Sequence, residues 1–376
     1  MNSNSLPLTR RAGIGLAWIA GFVLLVLFVL GLPVVLVWPK WVFAAVLALA
    51  LVLALPVWLI RRRWARDRDD YSPGRSYLAF SLVVLALLVV LLAAPVYYIA
   101  NRVDARPATM PQAILSNGKK TVVFQGMVHI GSEPFYQGVV WEVEKALADG
   151  YTMFYEGVEP SPESKEATEW FTNTLAGGGD LSANYKMLGD LCGLKFQLDY
   201  FGPVEAHKKD HPAQHVIADV THLDMYKEFQ RLAKADPAFA QRAAEQTAKS
   251  AKGAAGDDPF TWIASSMKGS TEGQKYVVGT LCRGLVSRTF ARVGPQGEAL
   301  EPVILDYRNR ELARRIAEYP GEKIFVTYGA AHLPGTVAEL RKIDPAWGIK
   351  SIKWTRAISA PDRLDGELMP VPPVGP

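Results

Sequence analysis

Two short motifs, each with a glycine three residues before a histidine, could carry chemistry in this chain. Gly126–His129 (GMVH) follows the apolar run Thr121–Gln125, and Gly329–His332 (GAAH) follows Lys323–Tyr328. Both runs are rich in β-branched and aromatic residues, which is typical of buried strands. Imidazole can serve as a metal ligand or as a general base near neutral pH. His129 and His332 are therefore candidate site residues.

Two carboxylates also stand at the ends of predicted strands. Glu156 ends the run Tyr151–Glu156, and Asp219 lies near the end of His215–Val220. Two imidazoles and two carboxylates suit Mn²⁺, Co²⁺, Zn²⁺ or Fe²⁺, which would lower the pKa of a bound water. The sequence thus predicts a divalent-metal site. Its expected ligands are His129, Glu156, Asp219 and His332, with Glu156 as a candidate general base. Asp219 could equally be a turn or capping residue.

Other polar residues are less specific. Arg308 and Arg310 lie on different faces of a predicted helix, so one could clamp an anion or oxyanion, or both could belong to a solvated face. His207, His211 and His215 have i, i+4 spacing, but Pro212 interrupts the run. We interpret those three histidines, with His222, as ordinary loop residues.

The elements around the motifs predict how these side chains meet. Residues 119–158 and 323–356 each read as strand, G-x-x-H, helix and strand, which suggests an internal duplication. Right-handed crossovers make such strands parallel and bring their carboxyl ends to one edge. We therefore expect an α/β domain over 119–358 with a central mixed sheet. His129, Glu156 and His332 should converge in one cleft.

Three other segments complete the predicted domain organisation. Residues 223–292 have helical composition with little strand signal and predict a helical cap inserted between strands. Residues 101–118 contain Pro107 and Pro111 and predict a polar linker. Residues 359–376 are Pro-rich and predict a disordered tail.

The first hundred residues have the composition of a membrane domain. Long uncharged stretches predict three transmembrane helices, at about 13–37, 41–60 and 77–99. Arg10 and Arg11 precede the first, and six arginines lie between residues 61 and 75, whereas only Lys40 separates the first two. The positive-inside rule then places the N-terminus in the cytoplasm. The domain after residue 100 is expected outside, in the periplasmic or extracellular space of a bacterial-type inner membrane.

The overall charge of +4 hides an acidic exported part. Residues 104–376 carry 31 Lys and Arg against 34 Asp and Glu, a net charge of −3. Without a basic excess, nothing indicates a nucleic-acid partner. Cys192 and Cys282 could pair in an exported domain, or they could be two buried thiols, and spacing leaves both open.

The motifs together resemble the TraB/Tiki superfamily, which includes TraB, PrgY and GumN-like proteins. The resemblance covers about residues 119–356 and includes VVFQGMVHIG, FYEGV, IADV, LDYRNRELARRI and VTYGAAHLPG. It implies roles for His129, His332, Glu156, Arg308-Asn309 and Asp219 in metal-dependent peptide-bond cleavage at the outer face of the membrane. The implied function is a membrane-anchored hydrolase, a metallopeptidase with a peptide or protein substrate. The alternative is a non-catalytic protein that binds peptide, haem or metal.

Overall fold

A computed structural model describes residues 8–65, 71–175, 181–255, 263, 266–267, 269–290 and 298–361. The helices, numbered in chain order, are α1 Leu8–Leu36, α2 Lys40–Ala65, α3 Pro73–Ala105, α4 Glu133–Ala148, α5 Lys165–Thr174, α6 Leu181–Cys192, α7 Gly202–Asp210, α8 His222–Ala235, α9 Pro237–Ala255, α10 Glu272–Phe290, α11 Arg308–Glu318 and α12 His332–Ile343. The strands are β1 Ala108–Ser116, β2 Thr121–Met127, β3 Ile130–Gly131, β4 Thr152–Tyr155, β5 Lys195–Phe196, β6 His215–Ile217, β7 Lys323–Gly329 and β8 Gly348–Ile358.

The chain divides into two compact units, and the first contains α1, α2 and most of α3. In the part of the chain that the structure describes, three helical segments are long and apolar enough to cross a membrane, namely Gly15–Leu36, Lys40–Trp64 and Pro73–Ala105. Much of their apolar surface is exposed, as expected for helices that face lipid. The prediction of three apolar helices near the N-terminus is confirmed.

The second unit is built on a six-stranded mixed sheet. Its strand order is β6-β4-β7-β2-β1-β8. β2, β7, β4 and β6 run parallel, whereas β1 is antiparallel to both of its neighbours. β3 and β5 form a separate two-stranded sheet. The predicted mixed sheet is confirmed.

Helices cover both faces of the sheet. Alternate side chains of β2 point to opposite faces, so Val122 and Phe124 lie in one apolar cluster and Val123 lies in another. The first cluster includes Leu312 of α11 and Leu333 of α12, and the second includes side chains of α4. The resulting three layers hold the carboxyl ends of the parallel strands in fixed positions.

The segment 101–118, expected to be a polar linker, is instead ordered structure. α3 continues to Ala105, and β1 occupies Ala108–Ser116 between two partners. Alternating residues of β1 enter the core although Pro111 stands within the strand. A Cβ atom on Gly126 would lie 2.9 Å from Pro111 Cδ and from its carbonyl oxygen. Gly126 therefore allows β1 and β2 to approach closely at the proline.

The first strands of the two predicted βαβ units pair with each other, but the connections to their second strands differ. β2 and β7 are parallel neighbours, with Gly126 opposite Tyr328 and Met127 opposite Gly329. The connection from β2 to β4 passes one strand, whereas that from β7 to β8 passes two. A duplication therefore stays a prediction.

The described parts of 223–292 are helical, as α8, α9 and α10. Of the predicted tail, residues 362–376 lie outside the described residues.

Candidate functional site

The predicted site residues occupy the carboxyl edge of the parallel strands. His129 follows β2, Glu156 directly follows β4, Asp219 lies two residues after β6, and His332 is the first residue of α12. This edge is where open α/β sheets place ligands and reacting groups. The ends of four strands thus bring residues that are up to about two hundred positions apart to one region of the fold.

Arg308 lies at the centre of this region. It is the first residue of α11 and is 6% exposed. Its Nη2 atom lies 2.6 Å from Glu156 Oε1 and 2.5 Å from Asp219 Oδ2, and its Nε atom donates to Asp219 Oδ1 at 2.9 Å. Its Nη1 atom lies 3.3 Å from His332 Nε2. One guanidinium therefore links three of the four predicted ligands. We call Arg308 and these three residues, Glu156, Asp219 and His332, the Arg308 cluster. Arg310 instead pairs with Glu228 on the other side of the helix, at 2.7 Å.

Backbone amides complete the hydrogen bonding of both carboxylates. Gly329 N donates to Glu156 Oε2 at 2.6 Å, and Gly157 N donates to Asp219 Oδ2 at 3.0 Å. Val220 N donates to Asp219 Oδ1 at 2.9 Å. A Cβ atom on Gly329 would lie only 3.3 Å from Glu156 Oε2, so a larger residue would crowd this carboxylate. Each carboxylate oxygen is thus fixed by at least one donor.

These contacts keep both carboxylates ionised. Burial alone would raise the pKa of Glu156, but the charge of Arg308 reverses this effect and lowers it. The pKa of Asp219 is likewise lowered, because the Arg308 charge and hydrogen bonds outweigh burial. With one buried cation, the buried anion of Asp219 and the half-buried anion of Glu156, the Arg308 cluster carries a net negative charge when His332 is neutral.

The hydrogen bonds of His332 fix its tautomer. Nδ1 lies 2.8 Å from Asn309 Oδ1, which can only accept, so Nδ1 carries the proton. Nε2 then accepts from Arg308. Burial, reinforced by the Arg308 charge, lowers the pKa of His332 to about 4. His332 is therefore a neutral residue that positions Arg308.

This shift predicts a specific pH dependence of stability. Below its ordinary value near 6.5, the unfolded chain binds a proton that folded His332 rejects, so the stability is complete above pH 6.5 and falls towards pH 4. The loss should reach about 3 kcal/mol. Melting temperatures of the full chain in detergent with a chelator, from pH 7.5 to 4, should fall more steeply for wild type than for His332→Gln. Equal slopes would contradict the assignment.

His129 lies beside the Arg308 cluster rather than within it. Its ring stacks on Tyr185, with centroids 4.2 Å apart, and its Nδ1 atom lies 3.3 Å from Gln197 Nε2. Burial lowers the pKa of His129, while the charge of Glu156 opposes that shift. His129 is thus a neutral, half-buried imidazole within electrostatic reach of Glu156.

A small cavity opens beside Glu156. Its volume is about 90 Å³, which is room for roughly three water molecules. Tyr155, Glu156 and Thr327 line it on the sheet side. Phe201, directly before α7, and Val204 of α7 line the opposite side. Glu156 is therefore the charged residue of the Arg308 cluster that a bound molecule can reach.

Arg308 contacts three of the four predicted metal ligands. The Arg308 guanidinium lies among Glu156, Asp219 and His332 and uses the atoms that would bind the metal. Within the described ranges, no group of three or more His, Cys, Asp or Glu side chains is arranged to hold a metal ion. A resident divalent ion stays a prediction that would require Arg308 to move.

The remaining histidines form separate contacts. His207, in the last turn of α7, lies 3.0 Å from His215 at the start of β6, measured from Nδ1 to Nε2. His211 packs on His207, and His222 stacks on Phe171. None of these contacts involves the Arg308 cluster.

Sequence reasoning alone did not single out two groups that shape this site. Tyr185 and Gln197 orient His129 from α6 and from a 3₁₀ turn, and neither lies in a recognisable motif.

Comparison with known proteins identifies no relative: the chain matches no family model, no curated protein and no solved structure.

Proposed function

We propose that this chain is a membrane-anchored hydrolase that adds water to a peptide bond at the Arg308 cluster. The supporting observation is the position of Glu156. This carboxylate is ionised, is fixed through both oxygens and lines a cavity, and its charge acts on the neutral imidazole of His129. The motif resemblance to the TraB/Tiki superfamily supports the same reaction class.

In this proposal His129 is the general base. Its neutral imidazole would take a proton from water at Nδ1, the nitrogen that otherwise accepts from the Gln197 amide, as the water oxygen attacks the carbonyl carbon. It would then return that proton to the leaving amine as the bond between carbon and nitrogen breaks. The ionised Glu156 favours the imidazolium that forms in between, because its charge raises the pKa of His129. Arg308 holds Glu156 in place, and His332 holds Arg308.

The test compares variants of the purified full chain in detergent. We expect His129→Ala to lower the rate of peptide hydrolysis about a hundredfold, the usual effect of removing a general base. Glu156→Gln should lower it comparably. Cleavage of a defined peptide mixture is followed by mass spectrometry. His211→Ala is the matched control, because that exposed histidine contacts His207 and should leave the rate unchanged.

Two further measurements separate this proposal from its rivals. Peptide binding without cleavage in wild type would favour the non-catalytic alternative. Mn, Co or Zn retained by wild type but lost in His332→Ala, together with chelator-sensitive cleavage, would restore the metal mechanism. The cavity beside Glu156, at about 90 Å³, is smaller than the roughly 300 Å³ typical of small-ligand sites, so haem bound to the purified chain would indicate a different site.

We also propose that the second unit acts outside the cytoplasm. The arginine asymmetry around three apolar helices supports this topology, as does the disulfide between Cys192 and Cys282. A reporter that is active only in the cytoplasm, fused to the C-terminus, should give no signal, whereas a fusion after residue 70 should be active. A strong signal from the C-terminal fusion would reverse the topology.

A further inference from the structure

The cavity beside Glu156 combines apolar walls with negative charge. Leu198, Phe201 and Val204 supply apolar surface, and Leu198 is 59% exposed at the edge. Two of the lining residues are carboxylates, Glu156 on the inner side and Glu205 on α7, and no lysine or arginine is among the described residues that line the cavity. Such a cavity favours a ligand with an apolar stem and a positive end.

The size of the cavity further restricts which ligands it can hold. A volume of about 90 Å³ corresponds to roughly three water molecules, so it suits one amino-acid side chain rather than a lipid chain or a cofactor. Lysine and arginine place a methylene stem against apolar surface while keeping a charged end in contact with polar groups. Their shape therefore matches both the walls and the charge.

The chain already places a lysine at this cavity. Lys208 Nζ lies 3.9 Å from Glu205 Oε2 and 5.1 Å from the centre of the Tyr155 ring. Glu205 and Tyr155 both line the cavity, so its outer part contacts an ammonium group within the same molecule. Lys208 would compete with a positively charged ligand for Glu205.

We propose that this cavity is a subsite for a lysine or arginine side chain of a peptide substrate. The stem lies on Leu198, Phe201 and Val204, and the charged end pairs with Glu205. The assignment rests on the proposed hydrolase function, because it makes the cavity the specificity pocket of the Arg308 cluster. Glu156 stays paired with Arg308.

The test uses two fluorescein-labelled pentapeptides, Ala-Ala-Lys-Ala-Ala and its norleucine twin, with the full chain in detergent. Anisotropy should show the lysine peptide binding about fivefold more tightly, the upper range for an accessible ion pair. Glu205→Gln should reduce the preference to less than about twofold. Glu169→Gln, an exposed glutamate outside the lining set, is the matched control and should keep it.

Lys208→Met gives a result that loss of structure cannot mimic. Removing the internal competitor should strengthen binding of the lysine peptide about twofold and leave the norleucine peptide unchanged. The subsite is overturned if wild type binds both peptides equally or binds neither, or if Glu205→Gln keeps the full preference.

Peptide masses recorded after each titration separate the two proposals. Lysine preference without cleavage would retain the subsite and reject the hydrolase. Cleavage without lysine preference would retain the hydrolase and reject the subsite.

Discussion

Replacing Arg308 with methionine is expected to destabilise the second unit by about 3–5 kcal/mol, the usual cost of leaving a buried charge without its partner. Methionine keeps much of the side-chain volume but removes the guanidinium. Asp219, at 4% exposure, and Glu156 would then repel each other in the interior. The melting temperature of the full chain in detergent should fall by about 10 °C.

The matched control for this prediction lies on the same helix. Arg314 pairs with Glu311 and Glu318, but its side chain is 49% exposed. Arg314→Met should therefore cost at most about 1 kcal/mol. The melting temperature of Arg308→Lys should stay close to that of Arg308→Met, because a single ammonium group cannot reproduce the forked contacts of the guanidinium. If Arg308→Met melts within a few degrees of wild type, the Arg308 cluster is not the electrostatic centre described above.

Removing the disulfide should have a comparable effect. Cys192 and Cys282 are bonded, with a sequence separation of 90, so reduction frees a long loop in the unfolded chain. The chain-entropy relation gives about 4–5 kcal/mol for a loop of this length. The Cys192→Ala/Cys282→Ala variant should melt well below wild type, and reductant should lower wild type to the same temperature.

A buried arginine should keep the native arrangement in that variant. Arg283, next to Cys282, donates to the carbonyl oxygens of Cys192 at 2.9 Å, Gly193 at 2.5 Å and Ser359 at 2.8 Å. The near-ultraviolet circular dichroism of the double variant below its melting temperature should therefore resemble that of wild type. A variant that melts like wild type, or that still responds to reductant, would contradict the assignment.

The strand ends were predictable because they depend on local patterns. Apolar runs before Gly126 and Gly329 identify β2 and β7, and parallel pairing brings their ends together. The role of Arg308 was less accessible. Both Arg308 and Arg310 lie near the start of one helix, and only the packing of α11 on the sheet decides which one turns inward.

β1, in contrast, could not be predicted from local sequence patterns. Pro107 and Pro111 made this segment resemble a linker, because proline removes a backbone donor and is rare inside sheets. Its partner β8 lies more than two hundred residues later, and no local pattern announces that pairing. The disulfide has the same character, since spacing did not decide whether Cys192 and Cys282 approach one another.

The order of strands in the sheet also determines when the second unit can fold. β7 lies between β4 and β2, yet it follows both of them by well over one hundred residues in the chain. Until β7 is synthesised, the growing chain can form the β1–β2 hairpin and the β4–β6 pair, but the strand that forms hydrogen bonds with both is missing. The six-stranded sheet therefore cannot form progressively during synthesis. A nascent chain must keep two incomplete sheet fragments from aggregating until β7 emerges, a period in which unpaired strand edges are a hazard and chaperone protection is useful.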